Sequence, residues 1–209
     1  MDNSLFASYV VSPGRPLDNN ESDLVMAAER GSVEAFNQLV LCHQDRIFNL
    51  ALRILGDEDT AEDITQNTFM NAYLNLSRFR HGSFHGWLYR IATNACYDEY
   101  RQQKSRPMLP INNKDQAEER MLPFEQFSGT AALPELEVER HEQERVIQSA
   151  LNGLDPDQRT VIVLVDQQDL DYKEAAQILG IPLGTVKSRL ARGRLRLHQI
   201  LSKANIDIY

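Results

Sequence analysis

Gly184-Thr-Val-Lys-Ser-Arg-Leu-Ala-Arg-Gly-Arg-Leu-Arg-Leu197 completes a helix-turn-helix pattern, and the rest of the chain is understood from it. Tyr172 to Leu179 reads as one helix, Gly180-Ile-Pro-Leu-Gly184 as a tight turn, and Thr185 to Leu201 as a second helix. On that second helix Val186, Leu190, Gly193, Leu197 and Leu201 form one stripe at helical spacing, able to pack on the first. The opposite face near its N-terminus carries Lys187, Ser188, Ala191 and Arg192, where a recognition helix meets base edges in the major groove. Arg189, Arg194 and Arg196 lie on the flanks, suited to phosphates that set register without reading sequence. From Ala175 to Ile206 there is no Asp or Glu, although the chain as a whole has a formal net charge of -8. An acidic protein that gathers its cations on one short helix has the electrostatic footprint of a nucleic-acid contact.

Working outward, the pattern is helical almost throughout. Asp155-Pro156-Asp157-Gln158 supplies an N-cap, a Pro at the first helical position and a Gln at the third, starting a helix expected to run through Val165. Asp171 with Glu174 makes a capping box for the helix that ends at Gly180. Earlier in the chain, helices are expected near Asp23 to Glu29, from Ser32 to Gly56, from an Asp59/Glu62 capping box to Leu76, and from Phe84 to Lys104. No segment sustains a period of two, so the fold class is all-α. Residues 1–21, with Pro13, Gly14 and Pro16, read as a mobile tail, and 107–138, rich in Pro and acids, as a flexible linker. Two small helical domains remain, at 22–106 and 139–205. About thirty linker residues reach at most ~100 Å, enough to join DNA sites two helical turns, or ~70 Å, apart.

The first domain carries a second basic face. Ile64 through Tyr97 is again free of acids, and at about 100° per residue Arg90, Thr93, Asn94, Tyr97, Arg101 and Lys104 share one side of their helix, opposite Leu88, Ile91, Ala92 and Ala95. Aromatic rings stack on unpaired bases while Arg and Lys follow phosphates, so this face suits single-stranded nucleic acid. Trp87 is expected in the core. The loop His81-Gly-Ser-Phe-His-Gly86 has the glycines and polar groups of a pocket for an extruded base. On the preceding helix Asp63, Gln66, Asn67, Met70 and Leu74 point outward, and Met with Leu one turn apart on a polar surface marks a protein docking patch.

Composition narrows the alternatives. A chain of 209 residues, 42% hydrophobic and without an apolar run of ~20 residues, has neither a secretory signal nor a membrane span and is expected to be cytoplasmic, with no direct membrane insertion. Cys42 and Cys96 are expected to be reduced and buried. No phosphate loop, HExxH or nucleophile elbow occurs, and His81 and His85 lack a third ligand, so no catalytic residue, metal or cofactor is expected.

Four ordered motifs complete the picture: Asp59-Thr-Ala-Glu-Asp-Ile-Thr-Gln-Asn-Thr-Phe69, Phe84-His-Gly-Trp-Leu-Tyr-Arg-Ile-Ala-Thr-Asn94, Leu154-Asp-Pro-Asp-Gln-Arg159 and Gly184 to Arg194. Together they resemble the bacterial extracytoplasmic-function (ECF) sigma factors of the sigma-70 family. The resemblance implies that the first domain is sigma region 2 and the second is region 4. It implies core RNA polymerase at Asp63, Gln66, Asn67 and Met70, with Phe69 in the supporting packing. It also implies a -10 element at Arg80, His81, Ser83, Phe84, Arg90, Asn94, Tyr97 and Arg101, and a -35 element at Lys187, Ser188, Arg189, Ala191, Arg192 and Arg196. Promoter DNA and an anti-sigma factor are the further partners it implies. Two departures, Leu154-Asp-Pro156 for the usual Leu-Pro and Asp169-Leu-Asp171 without a small residue before Tyr172, lie away from the DNA faces. A conventional helix-turn-helix regulator with an N-terminal sensing domain would explain Thr185 to Leu201 but leave the aromatic and basic face of Arg78 to Arg106 without a role.

Overall fold

Apolar stripes at helical spacing and strong local caps leave this chain little choice but helices that bury one face each. The computed structural model describes residues 21–80, 82–105 and 134–203, with backbone alone for 134–141. In order these are α1 (Glu21–Glu29), α2 (Val33–Leu55), α3 (Glu58–Asn75), a 3₁₀ turn (Leu76–Arg78), α4 (Phe84–Ser105), α5 (Pro134–Asn152), α6 (Pro156–Ile162), a π-helical turn (Val163–Gln167), α7 (Tyr172–Leu179) and α8 (Leu183–Lys203). No strand occurs among the described residues. Residues 1–20 of the expected tail and most of the expected linker lie outside the described residues, while Glu21, expected in the tail, begins α1. α5, however, begins at Pro134, inside the stretch expected to be linker.

Caps set most boundaries. Ser32 accepts from the Ala35 amide at 3.2 Å to start α2, and Gly56, at φ 79°, closes it in the left-handed conformation that glycine adopts without strain. Asp171 and Glu174 form the expected capping box. Two caps differ from expectation. α3 is capped by Asp57, which accepts from the Thr60 amide at 2.9 Å, one residue outside a helix that already contains Asp59. Asp155 is the N-cap of α6, but its carboxylate accepts no backbone amide and takes the Gln158 side-chain amide instead, at 3.3 Å.

The helix from Pro156 is not regular to Val165. Beyond Ile162 it widens to a π turn, with the Gln168 amide reaching back to the Val163 carbonyl at 3.0 Å. The turn places Asp166 inward, where it meets Arg194 of α8.

α2, α3 and α4 pack around Leu39, Ile47, Leu50, Ala61, Ala72, Leu88 and Ala92, and α6, α7 and α8 around Val161, Ile162, Ala175, Val186 and Leu190. These two centres join in one cluster, because α2 and α4 also pack against α5, α6 and α7. The sequence reading puts Thr93 on an outward face of α4; it is buried, and its hydroxyl donates to the Tyr89 carbonyl at 2.7 Å. Docking of the second domain on this side of α4 rotates the buried arc toward Tyr89, Thr93 and Cys96. Of the two cysteines expected in the interior, Cys96 is buried and Cys42 is exposed. Trp87 is partly buried against Phe79 and Phe84, with ring centroids 5.2 and 5.8 Å away.

Candidate nucleic-acid interface

The recognition helix is built from its buried side outward. Val186, Leu190, Gly193, Leu197 and Leu201 are all buried, as their spacing predicts. Gly193 is needed for contact rather than conformation: a Cβ there would stand 2.7 Å from Ile162 Cδ1 and 3.3 Å from Gln158 Cβ, so α6 could not approach so closely. With that side fixed, Lys187, Ser188, Ala191, Arg192 and Arg196 are exposed. The Ser188 hydroxyl donates to the Thr185 carbonyl at 3.0 Å, and Arg192 Nε donates to the Ser188 carbonyl at 3.2 Å, so the guanidinium lies along the helix.

Two flanking arginines have other partners. Arg194 Nε donates to Asp166 Oδ2 at 3.0 Å, and its Nη2 bonds the other carboxylate oxygen; the pair is structural, and the expectation that Arg194 serves phosphate is corrected. Arg189 is only partly exposed and pairs with Asp157 of α6. Nothing in the linear pattern announces either pairing, since each acid lies about thirty residues away in the sequence.

The aromatic and basic face is divided. Arg80, Ser83, Arg90, Asn94 and Arg101 are exposed. Phe84 is not: only 3% of it is accessible, and its ring packs edge-on against Phe79 and His43, so it supports the loop from beneath. Ser83 Oγ accepts from the Gly86 amide at 3.1 Å and so caps α4. Arg101 pairs with Asp98 at 3.2 Å on the open surface, an acid that a helical wheel places off this face. Tyr97 is half-buried, and burial raises the pKa of its hydroxyl, which has Thr160 and Asp157 of the second domain nearby. His81 lies outside the described residues.

α3 presents Asp63, Gln66, Asn67 and Met70 outward, while Ala61, Ile64, Thr68, Phe69, Ala72 and, just beyond it, Leu76 face the core. Met70 is 63% exposed and Leu74 69%, and the patch extends to Tyr73, which the sequence reading omits. Tyr73 stands i+3 from Met70 and leans edge-on against Phe36 at 5.0 Å, so its spacing from Met70 was the available signal.

Comparison with known proteins bears on both domains. Residues 39–106 match the family model of sigma-70 region 2, and residues 144–197 that of sigma-70 region 4. The chain is 36% identical to the ECF RNA polymerase sigma factor SigW of Bacillus subtilis, over 85% of this chain and 94% of that one. The chain belongs to the ECF sigma factors of the sigma-70 family. It is also 34% identical to SigE of Mycolicibacterium smegmatis over 84% of its own length, spanning 65% of that longer protein. Among solved structures it is similar to CnrH in complex with the cytosolic domain of CnrY, at TM-score 0.64 and 28% identity, covering 88% of this chain and 99% of that one. A second is the sigma factor RpoE in complex with the anti-sigma factor NepR from Bartonella quintana, at TM-score 0.61 and 28% identity, covering 81% and 98%. The protein is thus a transcription-initiation factor that directs promoter-specific initiation by RNA polymerase, not an enzyme. No helix among the described residues is long and apolar enough to cross a membrane.

Beneath the sigma factor's aromatic loop lies a buried polar cluster. The His43 ring, fully enclosed in α2, has Nε2 3.3 Å from Glu21 Oε1, and the His85 ring stacks on His43 with centroids 6.1 Å apart. Burial pushes the His85 imidazole down to about 4, helped by repulsion from His43 and Arg46. The His43 ring beside it holds the Glu21 carboxyl below its ordinary range. Both shifts act in one direction. Between about pH 6.5 and 4 the unfolded chain binds a proton at His85 that the folded chain does not. Below that window Glu21 must also give up its partner. Stability is therefore expected to fall by about 2–3 kcal/mol on going from pH 7.5 to 4. His85→Phe should flatten the dependence of the thermal midpoint on pH in this window, and an unchanged slope would rule His85 out as its source.

Proposed function

We propose that this sigma factor reads a promoter in two physical states of DNA. Region 4 lays the N-terminal half of α8 in the major groove of the -35 element, with Lys187, Ser188, Ala191 and Arg192 toward base edges and Arg196 toward phosphate. Region 2 holds the -10 element as a separated strand along Arg80, Arg90, Asn94 and Arg101, with Ser83 and, from the sequence motif, His81 as further contacts. The outward side of α3, at Asp63, Gln66, Asn67 and Met70, docks on core RNA polymerase. The observation that carries this reading is the exposed, acid-free arc Lys187, Ser188, Ala191 and Arg192, held outward by a stripe whose every member is buried. Local cations in an acidic chain favour DNA at one surface and repel it elsewhere, so specificity rests on delivery by the polymerase.

The domains divide as 22–106 and 139–205, on either side of the linker. An anti-sigma factor is a further partner, a reading supported by the structural relative RpoE, solved with the anti-sigma factor NepR. The working compartment is the cytoplasm, where the polymerase and promoter are.

Run-off transcription with purified core RNA polymerase and a genomic promoter library tests the reading. Adding the chain should create sequence-specific start sites. Asn94→Ala or Arg192→Ala should each weaken them roughly ten-fold, the scale of losing one good polar contact to a base. Tight binding to duplex DNA with no new initiation would move the assignment to a conventional regulator.

A further inference from the structure

One acid lies among the cations assigned to the -35 element. The sequence reading puts Asp155, of the departure Leu154-Asp-Pro156, away from the DNA faces. In the fold it is exposed and shares the lining of a cleft of about 350 Å³ with Arg192 and Arg196 of the recognition helix. An acid just before a helix proline commonly caps the helix or pairs with a cation. Asp155 does neither. Its carboxylate accepts no backbone amide of α6, and among the described residues it forms no ion pair, although two guanidiniums line the same cleft. Its partner is the neutral Gln158 side-chain amide, which donates to Oδ2 at 3.3 Å and leaves the charge in place. Asp157, two residues on, is the contrast, because Arg189 neutralises it. The two cations of the cleft are equally uncommitted. Arg192 donates from Nε to the Ser188 carbonyl, and Arg196 pairs with no acid among the described residues.

We propose that Asp155 is an anti-phosphate residue that sets the affinity threshold of -35 recognition. This rests on the proposed placing of Arg192 toward base edges and Arg196 toward phosphate. A strand that meets both guanidiniums lies over the cleft they line, and its phosphates come up to a carboxylate that has no cation of its own. Like unit charges ~7 Å apart lower affinity about three-fold in water, and more where protein displaces the solvent. The loss falls on every sequence alike, since phosphate contacts carry no sequence information. Contacts to base edges must offset it, so duplex without the -35 sequence stays unoccupied and the polymerase is not held on the excess of non-specific sites.

The test titrates holoenzyme, assembled from core RNA polymerase and the full chain, with two duplexes over a range of salt. One carries a promoter found by run-off transcription, and the other has its -35 element scrambled. Asp155→Asn should tighten binding to both about equally, by three- to ten-fold, and steepen the fall of log affinity with log salt by about one unit at most. Asp155→Glu, which keeps the charge, should return both to the parent values. A gain in affinity cannot come from a loosened fold. Unchanged affinity in Asp155→Asn would overturn the proposal, and a loss confined to the promoter duplex would overturn it in favour of a direct contact between the carboxylate and a base. Arg192→Ala separates this inference from the reading beneath it. If that variant keeps the preference for promoter over scrambled duplex, the placing of α8 fails; a lost preference with Asp155→Asn inert overturns the threshold alone.

Discussion

Arg194→Met is expected to cost the sigma factor about 3–5 kcal/mol, read as a lower urea midpoint at unchanged slope. The reason is the position of its partner. The Asp166 side chain is 3% exposed and the Arg194 side chain 27%, so the carboxylate is the committed member of the pair. Arg194 serves it through Nε and Nη2, a two-pronged contact that a single ammonium could not reproduce. Methionine keeps most of the packing volume and strands the buried charge. Pairing Arg194→Met with Asp166→Asn should recover much of the loss, since the uncompensated charge is then gone and coupled neighbours do not add. If Arg194 instead served DNA, the single variant would keep its urea midpoint and lose DNA affinity with a shallower salt dependence.

Arg159→Met is the second large effect, expected at about 2–4 kcal/mol from lost charge-assisted hydrogen bonds to buried carbonyls. Its guanidinium closes two helix ends that belong to different domains. Nη1 donates to the Ile54 carbonyl at 2.7 Å, in the last turn of α2, while Nη2 donates to the Asn152 carbonyl at 2.9 Å, at the end of α5. Carbonyls at a helix C-terminus have no partner within the helix and carry the negative end of its dipole, so one buried cation satisfies both ends. Burial lowers the Arg159 pKa from its ordinary value, but arginine stays protonated well above neutral pH. Calorimetry should show a single transition for the parent chain and a lower, less cooperative one for the variant, because one of the contacts that couple the domains is lost. Arg159→Lys should recover only part of the stability, since it keeps the charge and loses the fork. A single transition shifted by less than about 1 °C in Arg159→Met, far below the shift such a loss implies, would overturn this account.

Both arginines show where linear reading stops. Arg159 lies in the motif Leu154 to Arg159 and Arg194 in the basic run, yet neither position declares its partner. Arg194 belongs by composition to a DNA surface and is claimed by an acid that a π turn brings inward. Tyr97 and Arg189 behave similarly: their spacing puts them on basic faces, and in the fold both lie near Asp157. Phe84 is a third case. Its place in a glycine-bounded loop resembles that of a contact residue, but an aromatic side chain next to Phe79, Trp87 and His43 has more to gain from burial than from solvent.

The sequence by itself determined the helices, their caps at Ser32, Gly56, Asp171 and Gly180, the buried stripe of α8 and the exposed arc beside it. These features depend on neighbours within about four residues, where helical geometry converts spacing directly into direction. Tertiary structure alone decided which cations remain available, which side of α4 is buried, and that the two domains lie against each other at Arg159 and Asp157. Ion pairs and domain docking join residues far apart in the chain, and side-chain periodicity carries no information about a partner that only folding brings near.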